Sequence, residues 1–405
     1  MKSVAWWKGL CGKAALLLGC VAALQAEPSH AQYWAGSWAA APQAPLSGNS
    51  RPIPDLTDRT IRQVVRISSG GKQVRIRLSN EMSDTALRLD SVRIAYADAA
   101  GRIVPGSDRV VTFDGRADVQ IPGHAPMISD PVALAVQRLS RLAISLHFRE
   151  PVVRPTIHSH AASTAWIAPG DQTSAPSMEA SAPFMQRLVI SGVEVENRRA
   201  VNTIVTFGDS ITDGALASID SDQRWPDLLA QKLQAGGKRP GVANLGLGGN
   251  RLLADGTGLN ALARFDRDVL AVPGVSHVII MEGVNDIGTA TRDKLPLPTA
   301  QVLTAAIRQL ITRAHGHGVK AILATILPYK GAGYWSEEGE QVRQAVNLWI
   351  RTSGQGDGFI DFDKALADKS DAAHIAAAFD GGDHLHPNDA GFRAMADAID
   401  LKLLK

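Results

Sequence analysis

Ser210, in the run Gly208-Asp209-Ser210, is a serine whose partners elsewhere in the chain could make it a nucleophile. A serine hydroxyl attacks poorly at neutral pH, so it needs a base within hydrogen-bond reach and a group that orients the base. Asp383-His384-Leu385-His386 offers both. A carboxylate three residues before an imidazole can fold back onto Nδ1 of His386 and leave Nε2 to face Ser210. Pro387 and Asn388 then open the last predicted helix and fix the backbone just beyond the base. Attack on an ester creates an oxyanion, which needs donors held in place in a dry pocket. The candidates are the backbone N–H of Ser210, the N–H of Gly249, where a missing side chain permits close approach, and the side-chain amide of Asn285.

These residues lie far apart in sequence, so the fold must bring them together. After Asn197 the pattern predicts strands near 203–207, 242–245, 277–281, 320–327 and 359–362. Helices are predicted near 226–234, 259–270, 298–315, 338–351 and 388–404. Alternation at this spacing implies an α/β fold with a parallel sheet of about five strands and helices on both faces. Ligands of such sheets gather at the carboxyl ends of the strands. Ser210 follows the first strand, Gly249 and Asn250 the second, Asn285 and Asp286 the third, and Asp383 with His386 comes after the fifth. A Gly-Asp-Ser triplet arises by chance in on the order of one chain in ten of this length, so the ordered set carries the argument rather than the triplet.

From Tyr33 to about Asn197 the pattern is instead short β-like runs: 61–68, 73–78, 87–95, 110–113, 142–148 and 188–195. Val74-Arg75-Ile76-Arg77-Leu78 alternates apolar and charged residues, the signature of a half-buried strand. This predicts an all-β sandwich of jelly-roll type. Residues 168–183, rich in Pro, Ser and Ala, read as a loop.

Residues from about 200 to 405 resemble the SGNH (GDSL) hydrolase superfamily. The serine block matches Phe207-Gly208-Asp209-Ser210 and the glycine block Asn244-Leu245-Gly246-Leu247-Gly248-Gly249-Asn250. The asparagine block matches Gly283-Val284-Asn285-Asp286 and the histidine block Asp383-His384-Leu385-His386-Pro387. The resemblance implies a flavodoxin-like three-layer α/β/α fold, no cofactor, and hydrolysis of esters, thioesters or related acyl bonds. The β-rich part is similar to the accessory domain of secreted bacterial members, some of which deacetylate plant polysaccharides such as xylan. The expected substrate is a short acyl ester, acetyl on carbohydrate first. The alternatives are a broad lipase, arylesterase or thioesterase, and, in another class, a carbohydrate-binding protein with an inert hydrolase fold.

Asn250, Arg251, Tyr334 and Trp335 are candidate substrate-binding residues. The two aromatics sit in a Gly-rich loop after the fourth strand, where they could stack on a sugar, cover an acyl chain or pack the loop on itself. Trp225 carries the same two readings, and Arg251 lines the pocket or pairs structurally. Asp209 and Asp286 read as carboxylates that hydrogen-bond their own turns. His384, one residue from Asp383, is poorly placed to be the base and reads as a loop or pocket residue. His158 with His160, and His315 with His317, form close pairs without carboxylate or thiolate at ligand spacing, so no catalytic metal is expected.

At 405 residues the chain is longer than one typical domain. Lys2, Lys8 and Lys13 with the apolar run 14–24 read as an export signal, cut after Ala26 or, preferably, Ala31. Eleven apolar residues are too few to anchor in a bilayer. Leu17-Leu18-Gly19-Cys20 also resembles a lipoprotein processing box, which would tether the protein through Cys20. The predicted division is therefore 1–31 export segment, 32–199 β sandwich and 200–405 hydrolase domain. Both cysteines fall before residue 32, which removes disulfides and thiol chemistry from a chain cut after Ala31. That cut also takes away three lysines and Glu27 and brings the formal charge of +2 to zero, leaving no footprint for nucleic acid. An exported protein without an integral membrane segment is the expectation.

Overall fold

Alternation decides the first half of the chain. In strand Gln73–Ser79 the side chains of Val74, Ile76 and Leu78 are buried while Arg75 and Arg77 are half-exposed, so one face is committed to a core. The computed structural model describes residues 33–45 and 52–405. The predicted export segment, its cleavage sites and Cys11 and Cys20 lie outside the described residues.

Two antiparallel sheets share that core. One runs in the order Tyr33–Ala39, Ile190–Asn197, Gln73–Ser79, Pro126–Ile128. The other runs Ala182–Phe184, Ala165–Pro169, Arg59–Arg66, Arg141–Phe148, Ser91–Tyr96, Arg109–Val110. Val74, Ile76, Val193 and Val195 of the first pack with Ile61, Val65, Leu142, Ile144 and Leu146 of the second. The run predicted as one strand over 87–95 is two. Leu87–Leu89 pairs with Val119–Ile121 and Ser91–Tyr96 with Arg141–Phe148, the partner changing at Asp90, whose carboxylate holds Arg88 and Arg149.

The second half is the predicted parallel sheet, in the order Gly241–Gly246, Thr203–Gly208, Val275–Met281, Lys320–Ala324, Gly358–Ile360. The two strands Thr203–Gly208 and Gly241–Gly246 are buried along their whole length, as parallel strands covered by helices must be. Helices Ala300–Gly316, Glu337–Thr352 and Asp389–Ala398 begin at side-chain caps from Thr299, Ser336 and Asn388. The helix predicted over 259–270 starts at Ala261 under an Asn260 cap and widens to a π turn over Asp266–Leu270. The helix predicted to reach Leu404 stops at Ala398, and a separate 3-10 turn covers Leu401–Leu404. Helix Val284–Arg292 was not predicted, because Asn285, Asp286, Gly288 and two threonines give it poor intrinsic propensity.

The two halves meet along strand Tyr33–Ala39, and residues Gln32–Lys405 form one compact unit. Gly36 N–H lies 2.9 Å from both Pro273 O and Thr203 Oγ1, and Ser68 Oγ accepts from Val242 N–H at 2.7 Å. A side chain on Gly36 would collide with Val272, so only glycine lets the strand come this close. Among the described residues no helix is long and apolar enough to cross a membrane.

Candidate active site

Ser210 opens the short helix Ser210–Asp213 at the carboxyl end of strand Thr203–Gly208, the second of the five strands. Asp209 caps that helix, its Oδ1 accepting Ile211 N–H at 2.9 Å, so the chain turns sharply and presents the serine at the sheet edge. Gly208 permits the turn, since a Cβ there would run into Thr212 and the Met281 carbonyl.

The Ser210 hydroxyl lies 2.8 Å from His386 Nε2, and His386 Nδ1 lies 2.6 Å from Asp383 Oδ2. The other oxygen of Asp383 accepts the backbone N–H groups of His386 (2.8 Å) and Leu385 (3.0 Å), which wraps the loop around the carboxylate. Partial burial works to raise the Asp383 carboxyl, but these bonds from His386 and Leu385 hold it well below the usual carboxylate range. Asp383, ionised at neutral pH, keeps a proton on Nδ1 and leaves Nε2 as the acceptor facing the hydroxyl. This arrangement can take the serine proton during attack and return it to a leaving group.

Two backbone N–H groups of the site, those of Ser210 and Gly249, are left without a protein acceptor among the described residues, as expected of donors reserved for a ligand. Gly249 has φ +70°, a conformation in which glycine carries no strain. Asn285 spends one amide hydrogen on Asn250 O at 3.0 Å, and its Oδ1 accepts Tyr334 OH at 3.3 Å. The amide is thereby held in one orientation with its second hydrogen uncommitted.

Arg264, which the sequence reading did not single out, fastens these strand ends together. Fully buried, it donates to Gly208 O (2.9 Å), Leu245 O (2.8 Å) and Asn250 Oδ1 (2.8 Å), and pairs with Asp268 (3.0 Å) and Glu282 (3.3 Å). Its guanidinium lies over the Phe207 ring. An arginine in a short helix reads as a surface residue, and only a flanking Phe265 and Leu262 hint otherwise. Behind the site, burial raises Asp209 and Asp286 to about 6 and pushes Glu282 well above the ordinary range, where Asp209 adds to the effect and Arg264 opposes it. Asp286 accepts Leu252 N–H (2.8 Å) and Leu253 N–H (3.0 Å) and so pins the loop after Gly249.

The four candidate substrate-binding residues part company. Asn250 is buried and turns inward, donating to Leu259 O (2.8 Å) and accepting from Arg264, so its amide has no reach toward a substrate. Arg251 bends back onto the Asp255 carbonyl. Tyr334 lies against Gly288, where a Cβ would stand 2.1 Å from two atoms of its ring, and beside Tyr329 at 5.8 Å between centroids. Trp335 is half-buried with the Lys330 ammonium 5.7 Å from its ring. Trp225 is core, fully buried against Phe362. His384 pairs with Asp380 at 2.6 Å, and His315 with Asp357 at 2.8 Å. Among the described residues no cluster of three or more His, Cys, Asp or Glu could hold a metal ion. His158 bonds Asp213, and His160 lies against Gly248.

Residues 206–394 match the GDSL-like lipase/acylhydrolase family. No curated protein matches the chain. Among solved structures it is similar to the aryl esterase of M. smegmatis, at 22% identity over 49% of this chain and 96% of that one, with a TM-score of 0.39. An α/β hydrolase enzyme from the metagenome of Lake Arreo, Spain, shares 21% identity over 51% and 96% (TM-score 0.40). An acetyl xylan esterase shares 20% over 48% and 96% (TM-score 0.38).

Proposed function

From the premise that this chain belongs, through residues 206–394, to the GDSL-like lipase/acylhydrolase family and is a carboxylic ester hydrolase, we propose that it works as a serine esterase through an acyl-enzyme on Ser210. The observation that carries this reading is the unbroken line Ser210 Oγ, His386, Asp383 at 2.8 and 2.6 Å. His386 takes the serine proton as Ser210 attacks the ester carbonyl, and the oxyanion is received by Ser210 N–H, Gly249 N–H and the Asn285 amide. His386 returns the proton to the leaving alcohol. It then activates a water that releases the acid and restores Ser210.

The substrate reading is a short acyl ester of carbohydrate, acted on by an exported protein with an N-terminal β domain over 32–199 and a hydrolase domain over 200–405. It is supported by the polar character of the residues around the site: His160, Thr257, Arg251 and His384 adjoin the glycine loop and the histidine loop. Such groups suit a hydroxyl-rich alcohol better than a lipid. Release of p-nitrophenol from the acetate, butyrate and longer esters tests this, with Ser210→Ala as control. The expected result is turnover that falls steeply beyond short chains and is lost in the variant. Equal turnover by both proteins would refute the mechanism. Acetate release from acetylated xylan is expected, and its absence with good arylester turnover would favour a broad esterase.

A further inference from the structure

Two histidines of the β-rich half reach the back of the proposed oxyanion site. His158, in strand Ile157–His158, is buried; its Nδ1 meets the Ala41 carbonyl at 3.1 Å and its Nε2 meets Asp213 Oδ1 at 2.8 Å. Asp213 is the last residue of the helix that Ser210 begins. Its other oxygen accepts Gly248 N–H at 3.1 Å, one residue before Gly249. One carboxylate, itself buried, therefore joins three pieces of chain: the nucleophile helix, the glycine loop and the β-rich half. His160 approaches from the same side. Its ring lies so close to Gly248 that a Cβ there would stand 2.6 Å from Nδ1, and Nδ1 is 3.9 Å from Asp213 Oδ2.

A second set of bonds holds the far side of the loop. Gln43 Nε2 donates to Thr257 O at 2.5 Å, and Thr257 Oγ1 in turn bonds Gly248 O. Gln43 Oε1 accepts Ser159 Oγ at 2.9 Å, between the two histidines. Gly248 is thus held at its N–H by Asp213, at its carbonyl by Thr257 and at its Cα by the His160 ring. A loop of glycines has no side chains to fix itself, so its position must come from its neighbours.

We propose that His158 and His160 are positioning residues for the proposed reaction: His158 through Asp213, and His160 directly on Gly248, set the place of the Gly249 N–H relative to Ser210. The β-rich half is then part of the active-site framework, whatever else it binds. This inference rests on the reading of Ser210 as nucleophile and Gly249 N–H as oxyanion donor.

The test uses the full chain and p-nitrophenyl acetate, with active sites counted by a p-nitrophenyl phosphonate burst. Asp213→Asn and His158→Gln are expected to lower kcat per titrated site by roughly 10- to 100-fold with KM within about twofold, as small misplacements distant from the reacting atoms do. His160→Ala takes away a half-exposed ring that packs on Gly248 and bonds Ser159 Oγ at 3.2 Å, and is expected to lower kcat per site by about 3- to 10-fold with little change in the thermal midpoint. A purely structural role would instead reduce the fraction of titratable sites and leave kcat per site intact in all three, which would overturn the inference. If the two buried variants do not fold, the His160→Ala result decides alone. Should Ser210→Ala retain turnover, the esterase mechanism itself falls and this inference with it. Loss in Ser210→Ala with unchanged kcat per site in the others removes this inference only.

Discussion

Ser210 bonds one histidine–aspartate pair and shares its helix with the carboxylate of another, closed at a similar distance through the other ring nitrogen and set in opposite surroundings. The pair in the loop after the last strand, His386 with Asp383, is closed at 2.6 Å, and Asp383 keeps 44% of its side-chain surface in water. The pair at the seam, His158 with Asp213, is closed at 2.8 Å with 6% and 2% exposed. The loop pair touches the Ser210 hydroxyl and, in the proposed mechanism, exchanges protons with substrate and water. The seam pair touches no reacting atom; its carboxylate spends itself on backbone and on a strand from the other half. On the proposed reading, the same two side-chain types serve proton transfer where solvent reaches them and alignment where it does not.

The sharpest way to break this contrast is to neutralise the loop carboxylate. Asp383→Asn removes the group that sets the tautomer of His386, and kcat is expected to fall on the order of 10⁴-fold, measured with p-nitrophenyl acetate, against roughly 10- to 100-fold for Asp213→Asn. Equal losses would erase the distinction. Arg264→Leu leaves Glu282 and Asp268 buried with one cation fewer, and about 3–5 kcal/mol of stability should disappear in urea unfolding. Asn285→Ala is expected to reduce kcat by about 10²- to 10³-fold with KM little changed, the mark of a donor used mainly in the transition state. Asn388→Ala removes the cap that starts the helix behind His386 and should cost about 1 kcal/mol, with kcat much less affected.

The smallest effect is one of pH, and its sign differs across the site. Asp209 is raised by burial, so the native state holds its proton where the unfolded chain has lost it, and stability declines as pH climbs from about 4 toward 6. Asp209→Asn keeps the cap and lacks this titration, so its thermal midpoint should gain on the wild type through that interval. Asp383 is lowered, so its contribution is present above the ordinary carboxylate range and drains away as pH falls below it. Asp383→Asn should therefore lose midpoint relative to wild type above about pH 4 and converge with it in acid. A constant offset for either variant would contradict the assignment of burial and pairing.

What the sequence disclosed follows how local each signal is. The histidine loop carries its partner three residues away, and each block of the site follows a predicted strand, so convergence at one sheet edge could be read before any coordinates. Arg264 could not, because its five partners come from four separate segments. Asp213 was invisible for the same reason: its partners are His158, 55 residues upstream, and Gly248, 35 downstream. His158 and His160 drew notice only as a possible metal pair, since nothing in Ile157–His158 announces that its strand abuts another sheet. Asn250 follows a strand end like its neighbours, and only the packed structure shows that its amide faces Arg264.

Strand Tyr33–Ala39 pairs with Ile190–Asn197, and within it Gly36 bonds Pro273. The sheet partner of this strand therefore leaves the ribosome more than 150 residues after it, and Pro273 emerges 237 residues (273 − 36) after Gly36. The seam between the two halves cannot close before Pro273 is made, and such long-range closure is slow and leaves a strand edge exposed meanwhile. Assembly of the glycine loop, which depends on that seam, becomes a late event, so esterase activity in refolding should lag behind the gain of secondary structure.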